Sequence, residues 1–436
     1  MMLQGSIGVA LKTKNTILRD VLAIFSTKVS ILLISVVSII LLARVLGSEG
    51  RGLLAAALIY PQLLTSLSEG GMRQAAVLFL GKEKADPSEV FGSLIFYILV
   101  AGFLGFNLVY LLLYFTGNES FNNSIILVTA LLLPFSLMIN ALQGVFLGKQ
   151  NVKAFNSVLW VQKLAYVGLL LLFYFIDTLT VFTAILATTV STCFSAMYAV
   201  CLVKKFNDFA LSFKFATFYP MLKIGMTYAV ALFLIQANYK IDILLMSWLS
   251  SSHELGNYSV AVQLGEIIWQ LPSSVLLVLM AKTANSRSDD IIYTVVKSTR
   301  LTLFVTLILT CLMLLLSRMF IGLIFGEDYL LVNEVLVYLA PGIIFACLFK
   351  TINAYFAGEG KTGVAIKVMF VTVLTNILGN LLLIPEYGAV GAAIATSLSY
   401  LVSGVLIVCL FCKLKVIKVK DLVIVKSTDF RVRKIE

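Results

Sequence analysis

The hydrophobic positions along this chain form long, nearly unbroken runs, at residues 31–42, 94–115 and 302–316 for example, rather than the spaced stripes of half-buried elements. A hydrocarbon core about 30 Å thick demands such stretches, roughly 20 residues per helix. A helix satisfies its own backbone where water is absent, so the runs read as transmembrane helices. Twelve are predicted, at about 20–46, 52–80, 90–116, 122–147, 154–176, 179–203, 217–249, 255–281, 291–317, 331–357, 362–384 and 388–412. The expected fold class is an all-α polytopic membrane protein. The connectors are short and leave almost no chain for a soluble domain. Residues 1–19 are mixed polar, and the long first apolar run lacks a small-residue cleavage pattern after it. The first helix is therefore expected to stay in the mature protein.

Composition agrees: 60% of the residues are hydrophobic and 13% charged, against about 45–50% and 25% in soluble domains. The net charge of +11 lies mostly on one side of the predicted spans. Lys12, Lys14 and Arg19 precede span one, and basic residues follow spans two, four, six, eight, ten and twelve. The connectors after spans three, five, seven and eleven have neither Lys nor Arg, and the one after span nine has only Arg318. Arg44 and Arg51, in the first outer turn, break the pattern. The positive-inside rule then puts both termini in the cytoplasm, which requires an even number of spans. This one-sided charge argues for anionic headgroups at the membrane surface and against nucleic acid as a partner. Six cysteines lie within or beside spans without metal-ligand spacing, and the single histidine, His253, lies in a loop. No metal or other cofactor is expected.

Two pieces of the first half recur later. Ile40-Leu41-Leu42, leading through Leu46 and Ser48 to Gly52, parallels Ile243-Leu244-Leu245, leading through Leu249 and Ser252 to Gly256. Phe146-Leu147-Gly148 parallels Phe356-Ala357-Gly358. Six spans per half make these parallel repeats related by an axis along the membrane normal. The expected organisation is an N-terminal lobe at 1–210, a C-terminal lobe at 211–412 and a basic tail at 413–436, the lobes enclosing a central cavity.

Three segments resemble a known family. They are Leu42-Ala43-Arg44-Val45-Leu46-Gly47 with Gly50 and Gly52, residues 238–245 (NYKIDILL), and residues 380–400 (NLLLIPEYGAVGAAIATSLSY). Together with the span count, they resemble the polysaccharide transporter, or O-antigen flippase, family of the MATE-like exporters. The resemblance implies a flippase that moves an undecaprenyl-pyrophosphate-linked oligosaccharide across a bacterial inner membrane by alternating access. Polysaccharide polymerase machinery and membrane lipids are the further partners it implies. Members often place a basic residue directly after the span-seven aspartate, whereas here Asp242 is followed by Ile243 and preceded by Lys240.

Ionisable groups inside spans are costly unless they face protein or water, which makes each a candidate site residue. Lys28, Arg73, Lys163 and Lys350 lie about 12–15 Å inside the cytoplasmic end of their spans and read as one basic tier for the pyrophosphate, with Arg300 as a further candidate. Snorkelling to the surface is the competing account of the lysines. Glu69 and Arg73, four apart on one helical face, read as an ion pair, with which substrate capture by Arg73 would compete. Glu266 is a candidate for proton coupling, or else pairs with a base on another helix such as Lys350. Lys240 and Asp242 point to different faces of span seven and are candidates for an outer gate. Proton or sodium coupling both stay open. A MATE-type cation antiporter is the alternative within transport and calls for an acidic cavity, yet in-span bases outnumber acids. A glycan polymerase or ligase would need a large catalytic outer loop, and the outer connectors are short, so an enzyme is not expected.

Overall fold

The computed structural model describes residues 2–116, 118–206, 212–285, 290–426 and 429, without the side chains of 2–25, 28, 206, 277–278, 281–282, 284–290 and 362. The described residues fold into helices: α1 (Met2–Ser68), α2 (Met72–Gly81), α3 (Pro87–Thr116), α4 (Asn123–Gly148), α5 (Val152–Phe175), α6 (Val181–Phe206), α7 (Phe215–Leu249), α8 (Ser252–Asn285), α9 (Asp290–Phe325), α10 (Leu331–Gly358), α11 (Thr362–Lys415) and the short α12 (Val419–Val423). Among the described residues nine helical stretches are long and apolar enough to cross a membrane. Two of these are double. α1 turns at the non-helical Gly47 between spans one and two, and α11 turns at the non-helical Gly388 between spans eleven and twelve. With the 34-residue α8 this makes twelve spans.

Local chemistry sets several boundaries. Asn122 and Asn151 cap α4 and α5 by accepting from the backbone N–H of Ile125 and Ala154, the orphan donors of a helix start. Span two does not run unbroken. Gly70 and Gly71, at φ 55° and 64°, interrupt it between α1 and α2, a left-handed pair that residues with a Cβ adopt only at a cost. Leu99, Phe103, Leu323 and Leu382 are exposed on the outer surface, as lipid contact requires.

The helices pack mostly within halves. α4 lies against α2, α3 and α6, and α5 against α6, while α10 lies against α8, α9 and α11, and α11 against α7. α1 crosses to the other half and packs on α7 and α8, burying Leu42, Ala57, Met246, Tyr258 and Ala261 in one shared core.

The repeated sequence pieces meet in symmetric fashion. A Cβ placed on Gly52 would lie 1.8 Å from the carbonyl oxygen of Ser252, and one on Gly256 would lie 1.8 Å from that of Ser48. Spans two and eight thus cross backbone to backbone through equivalent residues, the arrangement that an axis along the membrane normal generates. The second repeated turn also makes the same contact in each half: Gly148 packs on Ala76 and Leu80 at the end of span two, and Gly358 on Met280 and Thr283 at the end of span eight.

The halves touch at both ends of the molecule. At the end bearing the Gly52–Gly256 crossing, Arg44 donates to the carbonyls of Ile324, at 2.6 Å, and Leu323. Trp248 Nε1 donates there to Tyr60 Oη at 2.8 Å. Toward the other end, Gly71 meets Gly225 of α7 backbone to backbone.

Candidate functional site

Between these two contacts lies a central cavity of about 560 Å³, walled by spans one and two, α5, α7 and α8. Among the described residues its charged lining is Arg51, Lys163, Lys240 and Glu266, three bases to one acid. The backbone crossing at Gly52 brings Arg51 against α8, where its Nη2 donates to Gln263 Oε1 at 3.1 Å. Arg51 is 5% exposed, and its Nε has no hydrogen-bond partner among the described residues. Lys163 Nζ donates to Ser38 Oγ at 3.2 Å and lies 5.1 Å from the centre of the Tyr166 ring. Lys240 Nζ pairs with Glu266 Oε1 at 3.0 Å across α7 and α8. Gln62 and Gln270 add neutral amides. Such a cavity offers an anion charge and hydrogen bonds in place of its hydration, and offers hydroxyl-rich groups paired donors and acceptors.

A second cavity, of about 330 Å³, adjoins the first through Gln62, which lines both. The Gly70–Gly71 break bends span two around it. Arg73 Nε and Glu69 Oε1 are 3.1 Å apart, and Asn140 Nδ2 donates to Glu69 Oε2 at 3.0 Å.

The expected single tier of bases is therefore divided. Lys163 lines the central cavity and Arg73 the second one. Lys350 lines neither: α10 buries it in the C-terminal half, where it donates to Ser273 at 3.1 Å and sits 4.7 Å over the Trp269 ring and 5.2 Å over that of Tyr239. Aromatic faces and a hydroxyl hold that ammonium where a cavity position was expected. Arg300 is likewise turned away. Its Nη2 pairs with Asp429 Oδ1 at 2.5 Å and its Nη1 donates to the Asp421 carbonyl at 2.8 Å, so both terminal nitrogens are held by the tail, while its Nε has no partner among the described residues. The Lys28 side chain lies outside the described residues.

Of the coupling candidates, Glu266 finds Lys240 rather than Lys350. Asp242 points to the face of α7 opposite the cavity lysine. It is 1% exposed and accepts from Tyr258 Oη, from Thr396 Oγ1 at 3.2 Å and from its neighbouring backbone N–H, that of Ile243, at 2.8 Å. One turn earlier Asn238, equally buried, has neither amide atom partnered among the described residues. That wall of α7 thus holds a carboxyl group and unmet hydrogen-bonding capacity behind the cavity.

Arg51 is the site residue that sequence reasoning missed. Its signal was its breach of the one-sided charge pattern. A base held by protein contacts is not a loop charge, and the same holds for Arg44 on the α9 carbonyls. Among the described residues no cluster of metal-ligating side chains occurs.

Comparison with known proteins places this geometry. The model of the family described as polysaccharide biosynthesis protein matches residues 17–280, and a MatE model matches residues 227–382. A probable low-salt glycan biosynthesis flippase of Haloferax volcanii is 32% identical over 93 residues, 21% of this chain and 20% of that protein, so the match spans about a fifth of the relative's length. Among solved structures, the lipid II flippase MurJ in an inward closed conformation aligns with a TM-score of 0.76 at 17% identity, over 92% of this chain and 89% of MurJ. An inward-facing multidrug resistance MATE transporter of the MOP superfamily aligns with a TM-score of 0.64 at 13% identity, over 87% and 95%. These likenesses establish an all-helical fold like that of MurJ and the MATE transporter. With more than half of its length matched by the family model, this multi-pass membrane protein belongs to the family described as polysaccharide biosynthesis protein.

Proposed function

We propose that the chain is a flippase for a lipid-linked oligosaccharide whose head carries a pyrophosphate, and that it moves this head between leaflets by alternating access. The single observation that carries the reading is the charge of the central cavity: Arg51, Lys163 and Lys240 against Glu266 alone. A cationic drug would meet repulsion there, whereas a pyrophosphate finds a guanidinium and two ammonium groups. In a low-dielectric cavity these replace the hydration that the anion leaves behind. The amides of Gln62, Gln263 and Gln270 suit sugar hydroxyls. The name of the Haloferax relative supports a glycan as cargo.

The lobes at 1–210 and 211–412 rock about the cavity, opening the Gly71–Gly225 contact in one state and the Gly52–Gly256 crossing in the other. The bilayer is the bacterial inner membrane, with both termini in the cytoplasm, as the one-sided basic connectors indicate. Asp242 is the coupling residue. A carboxylate so deeply buried requires a proton or a bound cation to neutralise it, and its partners span α7, α8 and α11, so its charge state bears on how those helices pack. The test is leaflet exchange of a fluorescent undecaprenyl-pyrophosphate oligosaccharide in liposomes, read by quencher accessibility. Exchange by the native chain supports the reading, whereas transport of cationic dyes without lipid exchange points to the antiporter that a MatE match also allows.

A further inference from the structure

We propose that the smaller cavity around Arg73 is a second binding station for the pyrophosphate group, occupied before the central cavity, with Glu69 as an internal counter-anion that the ligand displaces. This rests on the reading that the transported head is anionic. The two cavities carry the same set of groups. Each contains a base paired with a glutamate, Arg73 with Glu69 at 3.1 Å and Lys240 with Glu266 at 3.0 Å. Each adds an amide beside the charges, Asn140 in one and Gln263 in the other. Neither pair is sealed: the Arg73 side chain is 32% exposed and that of Glu266 34%. A base whose partner carboxylate can swing aside stays neutralised while the site is empty, and an arriving phosphate replaces the carboxylate without uncovering a bare charge.

The path between the stations is also present. Gln62 lines both cavities and lies midway in sequence between Arg51 and Arg73, about 16 Å of helix from Arg51 and across the Gly70–Gly71 break from Arg73. Gly71, the N-cap of α2, lines the Arg73 cavity, so the positive end of the α2 dipole reinforces Arg73 there. Arg73 lies toward the end of span two that shares a side with the chain termini, the side from which the proposed substrate starts. Arg73 therefore receives the head first, and Arg51 with Lys163 receives it next.

The test is isothermal titration of the full chain in nanodiscs with farnesyl pyrophosphate, and in parallel with inorganic pyrophosphate. Two farnesyl pyrophosphate sites are expected in the native chain and one in Glu69→Gln/Arg73→Gln, which removes both charges and leaves no unpaired carboxylate to unfold the protein. Arg51→Ala is expected to keep the Arg73 site. Glu69→Gln alone removes the competitor and tightens one site about fivefold, opposite to the effect of breaking a merely structural pair. A native chain with one site, lost in Arg51→Ala and unchanged in the double variant, overturns the second station and leaves the proposed function standing. Unchanged affinities in Glu69→Gln overturn it whatever the double variant does. Binding of inorganic pyrophosphate alone overturns the lipid head as the ligand, and no binding of either compound by a folded native chain overturns both the station and the function.

Discussion

Arg51 and Lys163 carry charge into the central cavity by different means, and their substitutions should differ accordingly. Arg51 offers a planar fork, one arm on Gln263 and an Nε without a partner, so Arg51→Lys keeps the charge and loses the geometry. Leaflet exchange in liposomes is expected to fall about tenfold or more in Arg51→Lys, as a lost charge-assisted hydrogen bond implies, and further in Arg51→Ala. Lys163, held by Ser38 and the Tyr166 ring, should tolerate Arg with a smaller loss. The tail makes a separate prediction. The carboxyl of Asp429 loses hydration on burial, which pushes its pKa up, but the Lys426 N–H and the Arg300 guanidinium outweigh this and hold it below its ordinary 3.8. A lowered carboxyl contributes stability that is present above its unfolded pKa and is lost as pH falls through the folded value. Protease cleavage of residues 416–426 should therefore stay slow from pH 8 to pH 5 and accelerate only below about pH 4, while Asp429→Asn should be cleaved there quickly at neutral pH. In-span charge and depth alone put Lys163 and Lys350 in one basic tier. Only tertiary partners separate them, since a lysine on Trp269 and one on a cavity wall look the same from spacing.

The elements follow the pattern of apolar runs closely, because in a bilayer each helix must satisfy its own backbone and length is set by membrane thickness. The ends of α4 and α10 were legible as a repeated Phe-x-Gly turn, and the structure gives both the same contact. Gly70 and Gly71 lie inside an apolar run, and two glycines there do not reveal whether the helix opens. What decides it is α7, whose Gly225 carbonyl occupies the space a Gly71 side chain would need. Gly71→Ala should cost about 1–2 kcal/mol for the left-handed backbone alone, more once the clash is counted, read as a lower melting temperature in detergent. Gly52→Ala meets the Ser252 carbonyl at 1.8 Å and should lower melting further, because a backbone oxygen, unlike a side chain, cannot rotate aside.

For the molecule as a whole, α1 carries most of the packing between the halves, lying against its own half and also against α7 and α8. In the proposed mechanism the two contacts between the halves act as opposite gates on one cavity. Cysteines replacing Tyr60 and Trp248, joined by a short bis-maleimide after removal of the exposed Cys201, Cys311 and Cys409, should hold the Gly52–Gly256 gate shut and stop exchange while leaving head-group binding intact. The central claim is that a cationic cavity carries a pyrophosphate-bearing lipid across the membrane. Its most direct test is the rate of leaflet exchange of a fluorescent undecaprenyl-pyrophosphate oligosaccharide in liposomes holding the native chain or Arg51→Ala/Lys163→Ala. Fast exchange by the native chain and near-background exchange by the folded double variant is the expected result; equal rates in the two, or none in the native chain under any imposed proton or sodium gradient, would contradict it.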